Sequence, residues 1–348
     1  MKLKKELNGI SYTDLENEII SLGIERYRTK QIFSFVHNKK IMSIDEITNI
    51  PKKTREILAE NYTLNKIKIY DVFESKEDET VKFLFLLNDG NIIESVIMKY
   101  KYGYSQCVST QVGCKMGCEF CASTKEGFIR NLSAAEILDQ IYCAENYLNI
   151  KVKNIVLMGS GEPLDNYSNV LNFINLVSDE NGHNTSLRHI TLSTCGIVDK
   201  IIELSKEDLP ITLSLSLHSP FDDKRQQIMP IAKKYKINDI IEAMRYYFRK
   251  TNRRITFEYT LIDGFNNRPE DAKELRSLVK GMDVHINLIP LNPIKEFNYG
   301  FDGNKELEKF YNLLVKNGLK VTIRREMGSD ISASCGQLKR RVLPKKEE

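Results

Sequence analysis

The chain has 348 residues, 41% hydrophobic and 28% charged, with no tryptophan, which is length enough for one large α/β domain and a smaller appendage. Its 51 basic residues nearly balance 47 acidic ones, and the net charge of +4 points only weakly to an anionic partner. The start, MKLKKELNGI, carries basic residues with no apolar stretch behind them, and no apolar run approaches the ~20 residues that cross a bilayer, so the expectation is a cytoplasmic protein without a secretory signal.

Residues 1–65 read as a small, polar helical accessory domain carrying several Lys and Arg. SYTDLENEIISLGI offers Thr13 as a cap with Glu16 three residues on, followed by apolar positions at helical spacing. RYRTKQIFSFVHN and IPKKTREILAENY follow, the second with Pro51 suited to a helix start. Over residues 66–100 the period changes to that of strands, in KIKIYDVFES, VKFLFLL and NIIESVIMKY. Asp89-Gly90 between the last two is a hairpin turn signal.

Residues 101–335 alternate strand and helix. The strand candidates are QCVSTQ, NIVLMG, HITLST, ITLSLSLH, ITFEYTLI, HINLIPL and VTIRR. Helical patterns separate most of them, and the first of these, SAAEILDQIYCAENYL, opens on a capping box of Ser133 and Glu136. About six β-α units fit before the last strand. The expectation is therefore an α/β fold, a partial (β/α)6 barrel rather than the closed eightfold one. Functional groups in such folds sit at the C-terminal strand ends. Residues 336–348 form a basic tail. Its Lys339, Arg340, Arg341, Lys345 and Lys346 join Lys233, Lys234 and Lys236, Arg253 and Arg254, and Arg324 and Arg325 as basic clusters. Each alone reads as solvated surface, whereas several on one face would track phosphates.

The seven cysteines are an odd number in a chain without an export signal, which favours metal binding or thiol chemistry over a disulfide framework. Cys114, Cys118 and Cys121 form C-x3-C-x2-C just after the first strand of the repeat. Three thiolates so spaced can hold an iron–sulfur cluster with one iron left open. The competing reading is a zinc knuckle with Cys107 as fourth ligand, in a zinc-containing RNA-binding protein without catalysis. After the next strand, GSGEP at residues 159–163 lacks the third glycine of a dinucleotide loop, but its glycines permit close backbone approach to a ligand. Ser193, Ser216, His218 and Asn292 end later strands. Such residues are most often turn residues, and they gain weight from sharing the mouth with the thiols. Cys335, beyond the last strand, reads equally as a buried structural thiol or a working one, and Cys143 and Cys195 read as structural. Glu94 in IIESVIM faces either inward or outward by strand alternation.

The cysteine spacing resembles that of the radical SAM enzymes. The ordered set IIESVIMKY, CVSTQVGCKMGCEFCAST, GEPLDN, LSLH, NLIPLNP, TIRRE and ASCGQL resembles the RlmN/Cfr family of radical SAM RNA methyltransferases over essentially the whole chain. The resemblance implies a [4Fe-4S] cluster on Cys114, Cys118 and Cys121. It also implies S-adenosylmethionine (SAM) contacts from Gly161, Glu162, Ser193, Ser216, Leu217, His218 and Asn292. It further implies methylation of carbon 2 of an adenosine in 23S rRNA and tRNA, with two SAM per turnover. Cys335 would first become S-methylcysteine, then form a transient adduct with RNA. Cys107 would release the product by forming a disulfide with Cys335, and Glu94 would accept the proton. A Cfr-type reaction at carbon 8 is the alternative within the family, and Pro163 in GEPLDN favours the RlmN side. The implied partners are 23S rRNA, tRNA and an electron donor such as flavodoxin or ferredoxin, acting on a monomer. Ser332 and Ser334, on either side of Ala333 ahead of Cys335, depart from the family's usual D-A-A.

Overall fold

The structure, a computed structural model, describes residues 4–64, 67–292, 294, 304–338 and 341–342. Three antiparallel strands, Ile67–Glu74, Val81–Leu87 and Asn91–Tyr100, lead into Gly103–Cys107. The turn between the second and third is built as the sequence implies, with Gly90 at φ +80° and the Asn91 N–H donating to Asp89 Oδ1 at 3.0 Å. Pairing then becomes parallel through Val152–Leu157, Ile190–Thr194, Thr212–Ser216, Ile255–Leu261, Val284–Pro290 and Lys320–Ile323. Each parallel neighbour is the next long strand in sequence, the order a right-handed β-α repeat generates. The result is the partial (β/α)6 barrel with a seventh strand. Among the described residues Lys320–Ile323 pairs only with Val284–Pro290, so the barrel stays open.

The crossover helices include Ala134–Leu148, Tyr167–Ser178, Ile237–Thr251, Pro269–Leu278 and Asn304–Lys316. Two more, Val198–Leu204 and Asp222–Ile228, escaped the sequence reading. At two turns each they are too short to display a helical period. The strand Ile255–Leu261 is buried along its whole length, as expected for a parallel strand covered on both faces.

The N-terminal helices are Tyr12–Ser21, Arg28–His37 and Lys52–Asn61, and this part of the chain meets helix Ala134–Leu148 through the turn Leu7–Gly9 and the end of Arg28–His37. The first is capped two residues earlier than Thr13: Ser11 Oγ accepts from the Asp14 N–H at 3.1 Å, and Thr13 lies inside the helix. Ser11 wins because its extended backbone lets its oxygen reach the third helical residue. The capping box of Ser133 and Glu136 is present in both directions, at 3.2 and 3.0 Å. Helix Ala134–Leu148 is buried from Ala134 through Glu145, with one side on the sheet and the other under the N-terminal part of the chain. Its polar positions therefore have to find partners there. Asn8 Nδ2 donates to Asp139 Oδ1 at 2.6 Å, His37 Nδ1 meets Tyr142 Oη at 2.9 Å, and Lys40 pairs with Glu145 at 2.8 Å.

Among the described residues no helix is long and apolar enough to cross a membrane. Of the basic tail, Arg341–Val342 pairs antiparallel with Asn91 and Ile92. Lys339, Arg340, Lys345 and Lys346 lie outside the described residues.

Candidate active site at the barrel mouth

The C-terminal ends of the parallel strands open into a cavity with about 960 Å³ of empty space, its open mouth included. Cys114, Cys118, Cys121, Gly161, Glu162, Ser193, Ser216, His218, Asn292 and Cys335 all line it. The cysteine loop leaves strand Gly103–Cys107 and is zipped to residues 159–162. The Gly159 N–H donates to Val108 O at 3.1 Å, the Thr110 and Gln111 N–H groups donate to Ser160 O at 2.9 and 3.1 Å, and the Glu162 N–H donates to Gln111 Oε1 at 2.9 Å. Gly161, at φ +109°, is required by this zipper, since a Cβ there would come within 2.6 Å of Gln111 Cβ. The close approach that this glycine permits is to the thiol loop, which it locks against the second parallel strand.

Glu162 is buried, and burial pushes its carboxyl up against the pull of its hydrogen bonds. Its oxygens accept the Leu164 N–H at 3.0 Å and the Cys195 N–H at 2.8 Å, joining two strand ends. Ser193 and Ser216 meet oxygen to oxygen at 3.3 Å on adjacent strands. His218 sits at φ +55°, and its Nδ1 accepts the Thr260 N–H at 3.0 Å, which leaves the proton on Nε2. Burial pushes this imidazole down to about 3, so it stays neutral. Its ring meets that of Phe120 edge to face, 4.7 Å between centroids. Asn292 Nδ2 donates to Cys335 O at 2.9 Å and so holds the remote thiol at this mouth.

Three of the residues implied by the resemblance lie elsewhere. Leu217 has its side chain in the core, and only its backbone serves the mouth, donating to Glu258 O at 3.1 Å and accepting from Arg225 Nε at 3.1 Å. Cys107 lies behind the cavity wall among Val96, Met98, Met327, Ala333 and Leu338. Burial, and then the neighbouring Cys335, push its thiol up to about 12. Glu94 is buried two residues from Val96, on the same strand face. That is the side of the Cys335 segment, so alternation resolves inward, although the cavity wall does not include Glu94.

Sequence reasoning missed four residues at the mouth. Cys195, read as structural, lines the cavity beside the thiol loop. Arg225 is fully buried and cross-links two adjacent strand ends, donating to Leu217 O and, at 3.1 Å, Ser216 O on one and to Cys195 O at 2.7 Å on the other, while its Nη1 has no protein partner. Glu258 accepts from Ser214 Oγ and Asn287 Nδ2, both at 2.9 Å. Arg324, read as part of a surface cluster, instead spans the floor, with Nη1 3.3 Å from Met158 Sδ and 3.5 Å from Glu258 Oε2. Nothing local marks these residues, because each reaches its place only once the sheet curls.

The three thiols of the loop fit an iron–sulfur cluster. Burial raises all three above the ordinary thiol range, Cys114 to about 12, so they stay protonated until a metal displaces the protons. Among the described residues no three His, Cys, Asp or Glu side chains converge on a point that would hold a single metal ion. All three line the mouth cavity, which leaves room beside them for a multi-iron body. Arg225, buried beside Cys118 and Cys195 with one N–H pair unspent, supplies the positive charge that an anionic cluster in an apolar wall needs.

Comparison with known proteins agrees with this geometry. Residues 108–276 match the family model of the radical SAM superfamily, and residues 5–64 match that of the ribosomal RNA large subunit methyltransferase N-terminal domain. A protein of Clostridium novyi (strain NT) named "Probable dual-specificity RNA methyltransferase RlmN" is 52% identical over 97% of this chain and 99% of its own length. A Clostridium perfringens (strain 13) protein of the same name is 49% identical over 98% and 99%. The crystal structure of a radical SAM methyltransferase from Sphaerobacter thermophilus superposes with a TM-score of 0.92 at 38% identity, covering 96% of this chain and 99% of that one. Fold and mouth thus define a radical SAM enzyme. Within that class the chain belongs to the RlmN family of RNA methyltransferases.

Proposed function

We propose that this enzyme methylates carbon 2 of one adenosine in 23S rRNA and of one in tRNA, with Cys335 as the methyl carrier. The single observation that carries the reading is the placement of Cys335. It lines the same cavity as the three loop thiols, although it lies more than two hundred residues from them, and Asn292 tethers it there. The dual specificity in the names of the Clostridium relatives supports the two RNA substrates.

Cys114, Cys118 and Cys121 would hold the cluster, and Gly161, Glu162, Ser193, Ser216, Leu217, His218 and Asn292 would contact SAM, Leu217 through its backbone. When bound, the reduced cluster and SAM supply a carbon radical that takes hydrogen from a methyl group, besides SAM's ordinary capacity as a methyl donor, so that two SAM serve each turnover. Cys335 carries the methyl as a thioether and becomes joined to the adenine through that carbon. Glu94 takes the ring proton from the strand face beside the Cys335 segment. The Cys107 thiolate then attacks the sulfur of Cys335. The S–CH2 bond breaks with its electron pair going to the methylene, which takes a proton to become the methyl of the freed base, and a disulfide is left for an outside reductant. An electron donor of the flavodoxin or ferredoxin kind and a monomeric enzyme complete the reading.

Anaerobic reaction of the reconstituted enzyme with 23S rRNA and with tRNA, followed by mass spectrometry of the digested nucleosides, tests it. 2-Methyladenosine from both RNAs is the expected product. 8-Methyladenosine would transfer the chain to the Cfr-type reaction, and unmodified RNA would refute the proposal.

A further inference from the structure

Residues 327–338, which carry Cys335, contain no strand or helix, so their position is set by what holds them. The hold upstream of Cys335 comes from the antiparallel hairpin. Asp330 accepts from Ser75 Oγ at 2.7 Å and from the Lys76 N–H at 2.8 Å. The Gly328 N–H donates to Asp78 Oδ2 at 3.0 Å, and Ser329 Oγ donates to Glu77 Oε2 at 2.9 Å. Lys82 Nζ donates to Ile331 O and, at 3.2 Å, to Ser332 O. Gly328 lies flat against the same turn, where a Cβ would meet Thr80 Cγ2 at 2.8 Å. Downstream of Cys335 the hold is the thiol loop: the Ala122 N–H donates to Gly336 O at 2.7 Å and Ser123 Oγ donates to Leu338 O at 2.6 Å.

The upstream hold has a fixed relation to Cys107. Lys82 pairs with Val96 and Val96 pairs with Cys107, so the three stand in one row across three hydrogen-bonded strands. Two strand spacings make that row about 10 Å long. Cys335 is three residues past Ser332, a tether of at most about 10 Å. A tether of that length reaches Cys107 and cannot carry Cys335 far from it, and Ala333, two residues before Cys335, packs in the same apolar cluster as Cys107. A disulfide needs the two Cα atoms within about 7 Å, a condition a free loop would meet only part of the time.

We infer that the hairpin turn at residues 75–80, through Asp78 and Asp330, is a positioning device that holds Cys335 within bridging reach of Cys107. The inference rests on the release role proposed above for Cys107. It assigns the antiparallel extension of the barrel a part in the last step of the reaction, although the turn itself touches neither thiol.

The test uses the cluster-loaded enzyme, without RNA, equilibrated anaerobically in a buffer of reduced and oxidised glutathione. The two protein thiols lose two protons and two electrons to form the S–S bond, and one glutathione disulfide is reduced to two glutathione thiols. Peptide mass mapping reads the fraction bridged between Cys107 and Cys335. Asp330→Ala is expected to lower the bridging equilibrium about tenfold, with Asp78→Ala acting in the same direction and Asp330→Asn, which retains one acceptor, falling between. Lys99→Ala, which removes an ion pair with Glu79 on the same hairpin but no contact to the segment, is expected to bridge like the wild type. Iron content and circular dichroism should stay constant throughout. Equal bridging in wild type, Asp330→Ala and Asp78→Ala would overturn the anchor while leaving the Cys107 role intact. A wild-type enzyme that never forms the bridge would overturn the Cys107 role, and the anchor with it.

Discussion

The seam under the N-terminal part of the chain and the mouth of the barrel both bury charge, and they treat it differently. At the seam, Glu145 is enclosed with each oxygen engaged: Lys40 Nζ at 2.8 Å, His183 Nε2 at 3.0 and 3.1 Å, and the Val152 N–H at 2.5 Å. At the mouth, Arg225 is equally buried but keeps one nitrogen unspent, and three thiols face an open cavity. A buried polar group without a partner is costly. The Glu145 charge has that cost met internally and so behaves as structure, whereas the Arg225 charge leaves part of it to be met by what binds at the mouth. Satisfaction, rather than burial, distinguishes the two.

Substitutions at each place should separate the two kinds of charge. The largest effect is expected from Cys335→Ala, which should abolish RNA methylation while leaving cluster iron and thermal stability as in the wild type; lost iron would make Cys335 a structural residue of the mouth. Cys107→Ala should follow, with multiple turnover lost and a protein–RNA adduct visible as a retarded band. Because the attacking species is the thiolate and burial holds Cys107 up at about 12, the release rate in the wild type should climb about tenfold per pH unit through the neutral range. A flat profile in single-turnover quenching would remove Cys107 from that step.

At the seam the signature is stability. Glu145→Ala strands Lys40 and His183 and should cost about 3 kcal/mol in chemical denaturation, with cluster assembly intact in the molecules that remain folded. Burial pushes the Glu145 carboxyl up, but His183, Lys40 and the Val152 N–H outweigh it and hold it below the ordinary range. Its contribution is therefore present above the unfolded carboxylate value of about 4.3 and is lost as pH falls through the lower folded one. The smallest effect, about 1 kcal/mol, is expected for Ser11→Ala at the first helix cap, and Thr13→Ala should cost less.

Much of the fold is legible locally. Alternation marks the hairpin strands, Asp89-Gly90 marks their turn, and Ser133 with Glu136 marks the start of the first crossover helix. The loop thiols are legible because their chemistry demands a short spacing. What stays hidden depends on closure of the sheet. Arg324 reads as half of a surface Arg pair until the curl of the barrel carries it over Met158 and Glu258. Cys195 reads as a core thiol until the Glu162 carboxylate fixes its backbone at the cavity wall. Arg225 stands in a run of charged residues whose helix is too short to show a buried face. The hold of the hairpin turn on the Cys335 segment spans about 250 residues, and no local pattern encodes it.

The most direct measurement of the central claim is to incubate the cluster-loaded enzyme anaerobically with SAM carrying a deuterated methyl group, isolate the protein before RNA is added, and map its peptides by mass. The account predicts a labelled methyl on the sulfur of Cys335, which passes to the adenosine once RNA is supplied. A Cys335 that stays unlabelled in a preparation that goes on to methylate RNA would contradict it.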